Sequence, residues 1–129
     1  MLLTSDEVLA RAEKDSQRGR SQKTFLLNFG HPLHPSVVAE LSPATEVRVK
    51  FSLNLDGDVA AQVADAVDDA ATAMSAKGGD LDGTSPVVVV LPGITEGAAL
   101  VLAELHGRLG DFPRVTQLRR REDGTFGLV

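Results

Sequence analysis

The chain has 129 residues, a formal net charge of −5, and no cysteine, tryptophan or tyrosine. This length predicts one domain, and the lack of cysteine excludes disulfides, thiolate metal sites and cysteine nucleophiles. The acidic balance argues against a protein that coats long nucleic acid, because such proteins usually carry a basic face. No run approaches the roughly 20 apolar residues of a membrane span, and the polar residues that follow Met1-Leu2-Leu3 do not resemble a signal peptide. We therefore expect no membrane partner and a cytoplasmic location.

Residues 1–22 differ from the rest of the chain and predict a peripheral lead-in. Thr4 or Ser5 can cap a short helix, and Glu7 stands at the capping-box distance from Thr4. We expect an N-terminal helix outside the core, followed by a single Rossmann-like ligand-binding domain over residues 23–129.

Strands and helices alternate along that domain. The predicted elements are a strand at 23–29, a short helix from Pro35 to about Leu41, a strand at 46–53, a helix at 59–75, a strand at 87–91, a helix at 95–109, and a hairpin of 114–120 with 125–129. The consecutive valines from Val87 are typical of a strand covered on both faces, so we expect it to be central. The order predicts an α/β, Rossmann-like three-layer sandwich whose mostly parallel sheet has the antiparallel hairpin at one edge.

Two strand-to-helix junctions, at 24–36 and 87–98, indicate a ligand site. In each, an apolar run stops at a Gly/Pro turn and a helix-compatible segment follows. In an α/β fold such junctions lie at the carboxyl ends of strands, where helix N-termini present unpaired N–H groups and a positive dipole end. These features suit phosphate, so two junctions predict a nucleotide-type ligand. The candidate ligand-binding residues are Asn28, Phe29, Gly30 and His31 at the first junction and Pro92, Gly93, Ile94 and Thr95 at the second.

Several candidates have alternative interpretations. His31 either contacts the ligand or is a turn histidine satisfied by the backbone. Gly93 permits close approach of a ligand to the backbone and can adopt a positive φ. Thr95 is either the N-cap of the following helix or a ligand contact. His31 and His34 show no recognised metal-ligand spacing with Asp56 and Asp58, so we expect no metal and no cofactor.

Two stretches resemble a known family. The first is LNFGHPL at 27–33, and the second is LPG at 91–93, leading through LHGRLGDFP at 105–113 to Arg114. Through them, the chain from Phe25 to Leu118 resembles small CRISPR-associated accessory proteins of type III systems, which are compact relatives of the CRISPR-associated Rossmann fold domain. The chain departs from this pattern at His34-Pro35-Ser36-Val37, where we would expect a Thr and a Gln.

The resemblance implies that a homodimer or higher assembly binds a cyclic oligoadenylate, with cyclic tetra-adenylate favoured, on its two-fold axis. It also implies that sequestration of this ligand damps type III CRISPR signalling. The alternative is a metal-independent ring nuclease in which His31 moves the 2′-OH proton. A third hypothesis is an unrelated nucleotide or sugar-phosphate enzyme on the same scaffold. The sequence shows no acid/base pair beyond His31, which favours binding over catalysis.

The resemblance also bears on three further residues. Asn28 either reads an adenine edge or simply ends its strand. His106 and Arg108 lie about 15 Å along their helix from Thr95. At this distance we do not expect them to contact a phosphate bound near Thr95 of the same subunit. They either cap the helix end and pair on the surface, or contact the ligand across a dimer.

Overall fold

The computed structural model describes residues 23–41, 43–124 and 126–128, so the predicted helix within 1–22 lies outside the described residues. The strands are β1 (Phe25–Asn28), β2 (Thr45–Arg48), β3 (Val87–Val90), β4 (Arg114–Thr116), β5 (Leu118–Arg120) and β6 (Phe126–Leu128). The helices are α1 (Pro35–Glu40), α2 (Val59–Ala76) and α3 (Thr95–Leu109). Each helix begins at the residue predicted from the sequence and ends within one residue of the predicted end. The strands are shorter than predicted, but the alternation confirms the α/β class.

Strands β1 to β4 form one parallel sheet in the order β2-β1-β3-β4. Leu27 of β1 lies opposite Val47 of β2 and Val89 of β3, so β1 pairs with both neighbours. The valine-rich β3 is interior, as predicted. Crossovers between parallel strands are almost always right-handed, so we expect α1, which leads from β1 to β2, to lie on one face of the sheet. Helices α2 and α3 lead across the sheet in the opposite direction and are expected on the other face, and they do contact each other. This arrangement is compatible with a Rossmann-like fold.

The antiparallel hairpin predicted at the edge of this sheet is not shown. Residues 114–116 instead form β4, which pairs parallel to β3 with Val115 opposite Val89. Strands β5 and β6 pair antiparallel in a separate two-stranded sheet. The sequence prediction treats residues 114–120 as one hairpin arm, whereas the structure divides them into β4 and β5. A crossover through a helix such as α3 normally connects parallel strands, which agrees with the parallel pairing of β4 and β3.

The main core lies between the sheet and the two long helices. It includes Leu27 and Val89 from the sheet, Val67 and Met74 from α2, and Leu105 from α3, all of them completely inaccessible to solvent. Burying a side chain of this size contributes roughly 1.5–3 kcal/mol, so this layer fixes the position of the sheet against α2 and α3.

An ion pair attaches the small β5–β6 sheet to α1. The Nη1 and Nη2 atoms of Arg121 donate to the Oε1 and Oε2 atoms of Glu40 at 3.0 and 2.6 Å. The Arg121 guanidinium lies directly over Gly127, where a Cβ would collide with it. Hydrogen bonding to Arg121 lowers the pKa of the Glu40 carboxyl. The ion pair therefore joins the small sheet to α1, whose backbone lies close to β6.

Candidate functional site

The carboxyl ends of β1 and β3 form the topological switch point of the sheet. From β1 the chain crosses through α1 to β2 on one side, and from β3 it crosses through α3 to β4 on the other. The two connections diverge and leave a crevice at the neighbouring ends of β1 and β3, which is where ligands bind in open α/β sheets. Both junctions predicted from the sequence lie at this crevice, because β1 and β3 are adjacent and parallel.

The side chain of Asn28 holds the turn that follows β1. Asn28 is only 2% exposed, and its Oδ1 accepts a hydrogen bond from the Gly30 N–H at 2.9 Å. Its Nδ2 donates to the backbone oxygen of His31 at 2.9 Å and to Oε2 of Glu46 at 3.4 Å. Both amide protons are thus engaged within the protein, and Asn28 positions the turn rather than presenting a free donor to a ligand.

The N-terminus of α3, at the second junction, is not capped by a side chain. The helix begins at Thr95, and Ile94 occupies the N-cap position with φ −83° and ψ 128°. The predicted N-cap role of Thr95 is therefore wrong, because Thr95 is already the first residue of the helix. In contrast, Asp58 caps α2 by accepting from the N–H of Ala61. The first-turn amides of α3 thus lack the side-chain acceptor that α2 has.

A cavity of about 370 Å³ opens between the two junctions and the end of β4. This volume is near the lower end of the roughly 300–1,000 Å³ of small-molecule sites. The residues lining it are Gly30, His31, Leu33, Ala98 and residues 90–93 and 115–117. An adjoining cleft of about 170 Å³ is lined by Phe29, Gly30, His31, Phe51, Leu53 and residues 92–94. Apolar surface dominates the wall of the cavity.

Gly30 and Gly93 border the cavity with different amounts of space around them. A Cβ on Gly30 would lie 3.2 Å from Cγ1 of Val90 and 3.3 Å from the backbone oxygen of Leu91, so this turn packs closely against the end of β3. A Cβ on Gly93 would meet no atom within 4 Å. Neither glycine has a positive φ. Gly93 is therefore distinguished by the open space beside it rather than by its backbone conformation.

The crevice brings together most, but not all, of the residues that the sequence predicted. Those that line the cavity or the adjoining cleft are Phe29, Gly30, His31, Pro92, Gly93 and Ile94. Asn28 and Thr95 line neither. Residues 115–117 also line the cavity, although the sequence predicts them as part of a hairpin arm and not as site residues. The signal for them was topological, since a strand that follows α3 in a βαβ unit has its carboxyl end at the same crevice.

His106 and Arg108 lie at the other end of α3 and have partners within the chain. The His106 ring stacks on Phe112, with ring centroids 4.1 Å apart and an interplanar angle of 18°. Arg108 donates to Asp68 of α2 at 2.6 Å and to Glu104 at 3.0 Å. Partial burial disfavours the charge of Arg108, but these hydrogen bonds outweigh it and hold its pKa above the ordinary value. The structure thus uses Arg108 to join α2 and α3.

Among the described residues, no three His, Asp or Glu side chains are grouped so as to hold a metal ion. In the same part of the chain, no helix has both the length and the apolar composition needed to cross a membrane. Comparison with protein-family models, with curated proteins and with solved structures gives no match to this chain. The resemblance to the CRISPR-associated accessory proteins therefore stays a prediction from sequence motifs.

Proposed function

We propose that the crevice binds a phosphate-bearing nucleotide ligand, and that this ligand is cyclic tetra-adenylate. The observation that carries the proposal is the uncapped N-terminus of α3 at the switch point, beside a cavity of about 370 Å³. First-turn N–H groups have no acceptor within the helix, and the helix dipole adds positive charge there. An anionic oxygen satisfies both needs. Glu96, the acidic residue of this turn, is exposed and lines neither the cavity nor the adjoining cleft.

The walls of the cavity favour a nucleotide over a bare phosphate. Leu33, Leu91 and Val115 supply apolar surface, and Thr116 and Gln117 supply polar groups at the end of β4. A largely apolar pocket with a few polar groups is the usual surrounding of a flat heterocycle. The choice of adenine and of a cyclic tetramer comes from the motif resemblance alone.

In this proposal the protein acts by holding its ligand and so damps type III CRISPR signalling. The alternative activity is cleavage of the same ring. It is favoured by one observation, the exposed imidazole of His31 on the cavity wall, where it could serve as an acid or a base.

Direct titration of the full chain with cyclic tetra-adenylate by calorimetry tests the proposal. Gly93→Val fills the open space at the crevice, so we expect binding to weaken at least about tenfold, or roughly 1.4 kcal/mol. Gly107→Val is the matched control, because Gly107 is exposed on α3 and a Cβ there also meets no atom within 4 Å. Circular dichroism should show that both variants fold. Wild type that fails to bind, or Gly93→Val that binds as wild type does, would disprove the proposal.

A further inference from the structure

A second group of ligand-competent side chains lies beside the switch point. At the end of β2, a cleft of about 460 Å³ is lined by Arg48 and Lys50, together with Gly30 and Pro32 of the first junction. Gly30 also lines the cavity described above. The cleft and the cavity therefore adjoin each other along the carboxyl edge of the sheet, with the turn held by Asn28 between them.

The charges in this cleft lack a counter-ion. Arg48 and Lys50 are both exposed, and within the described residues neither has a carboxylate oxygen within 4 Å. Glu46, the acidic residue of the same strand, accepts instead from Nδ2 of Asn28. Two neighbouring cations raise the local positive potential even on a protein of net negative charge. An anionic group in the cleft would be attracted by both.

We propose that Arg48 and Lys50 bind a second phosphate of the ligand. The ligand is then an oligonucleotide that follows the carboxyl edge of the sheet from β4, past Gly30, to β2, and a mononucleotide fills only part of the site. This inference rests on the proposed function, because it takes the nucleotide in the cavity as given. The inference assigns a new role to Arg48 and Lys50, because a ligand must be long enough to reach them from the cavity.

The test compares two ligands on the full chain at several salt concentrations. Cyclic tetra-adenylate can reach both pockets, whereas adenosine 5′-monophosphate fills the cavity alone. The double variant Arg48→Gln/Lys50→Gln should bind the monophosphate as wild type does, but bind cyclic tetra-adenylate about tenfold more weakly. The slope of log affinity against log salt for the tetra-adenylate should become shallower by about 0.7 for each phosphate that the variant no longer neutralises.

A charge-matched control separates a local contact from general electrostatics. Lys23 and Arg114 are exposed at the amino edge of the sheet, at the start of β1 and of β4, so Lys23→Gln/Arg114→Gln removes the same charge from the opposite edge. We expect this control to retain tetra-adenylate binding within about twofold. Equal losses in both double variants, or no loss in Arg48→Gln/Lys50→Gln, would overturn the inference alone. Wild type that binds neither ligand would overturn the proposed function and this inference with it.

Discussion

Asn28 is a buried polar side chain, and its three hydrogen bonds shape the first junction. Its Oδ1 atom accepts from the Gly30 N–H and its Nδ2 atom donates to the His31 carbonyl, so two residues that line the cavity take their positions from it. A buried amide is costly unless it is fully paired, and none of the described buried side-chain polar atoms lacks a partner. These bonds make Asn28 important for the site because they position the turn between the cavity and the cleft at the end of β2.

We expect Asn28→Ala to lower the free energy of unfolding by about 1–3 kcal/mol, because it leaves the Gly30 N–H and the His31 carbonyl without their partner. Urea denaturation followed by circular dichroism measures this change. Asn54→Ala is the control, since Asn54 is exposed and its Oδ1 accepts one bond from the N–H of Asp56. That variant should stay within about 0.5 kcal/mol of wild type. Equal effects in the two variants would show that the turn does not depend on Asn28.

His31→Ala separates binding from catalysis. If His31 only donates a hydrogen bond to a phosphate, its loss should weaken binding of cyclic tetra-adenylate by about 1–3 kcal/mol. If His31 is an acid or a base, binding should stay intact while turnover falls by roughly 10²–10⁴. We expect the first result. Calorimetry and chromatography of the reaction products on the same samples distinguish the two. Multiple turnover by wild type that is lost in His31→Ala at unchanged affinity would contradict our proposal.

Helix α1 and the β5–β6 sheet depend on each other through an exposed ion pair. The Glu40 and Arg121 side chains are each about half-exposed, at 46% and 44%, so solvent and salt weaken their attraction. Their bidentate geometry nevertheless fixes the orientation of the small sheet on α1. The pair therefore governs local opening of this sheet more than global unfolding.

We expect Glu40→Gln to speed amide hydrogen exchange in β5 and β6 while the exchange of β1 and β3 stays unchanged. The pKa of Glu40 is lowered in the folded protein, so its contribution is present above the unfolded pKa of about 4.3 and is lost as the pH falls through the folded pKa. After correction for intrinsic rates, the exchange of β5 and β6 in wild type should therefore approach that of Glu40→Gln as the pH falls through the folded pKa. Glu122→Gln, at an exposed turn position, should exchange as wild type does. Faster exchange throughout the chain in Glu40→Gln would refute a purely local role.

The long elements could be predicted from the sequence because each has its own periodicity and signals at its ends. Helix α3 matches its prediction at both ends, and the valines of β3 indicated an interior strand. The short β4 could not be separated from β5 by pattern, because three residues are too few to show a period. The location of the crevice could be predicted from the two junctions. The place of residues 115–117 in its wall could not, because it depends on β4 running parallel to β3. The bonds of Asn28 to Gly30 and His31 cannot be predicted from the sequence, because they exist only once the turn has folded.

The cavity of a single chain is too small for the proposed ligand. A volume of about 370 Å³ suits a single drug-sized group, whereas a ring of four nucleotides is several times larger. The clefts beside the cavity, at the carboxyl edge of the sheet, are open and do not enclose a ligand. A ring with two-fold symmetry can be shared between two identical crevices that face each other across a two-fold axis.

We therefore expect one cyclic tetra-adenylate per two chains. Calorimetry should give a stoichiometry of one ring to two protein chains, and light scattering of the complex should give twice the 13.6 kDa of one chain. Gly93→Val provides the control, because it removes the ligand contact without adding or removing charge. If the ligand drives pairing, this variant should keep the mass of free wild type after the ligand is added. If pairing precedes binding, both proteins should have the doubled mass without ligand. A monomeric mass for wild type at saturating ligand would contradict the shared site and leave the carboxyl edge of a single chain to hold the entire ring.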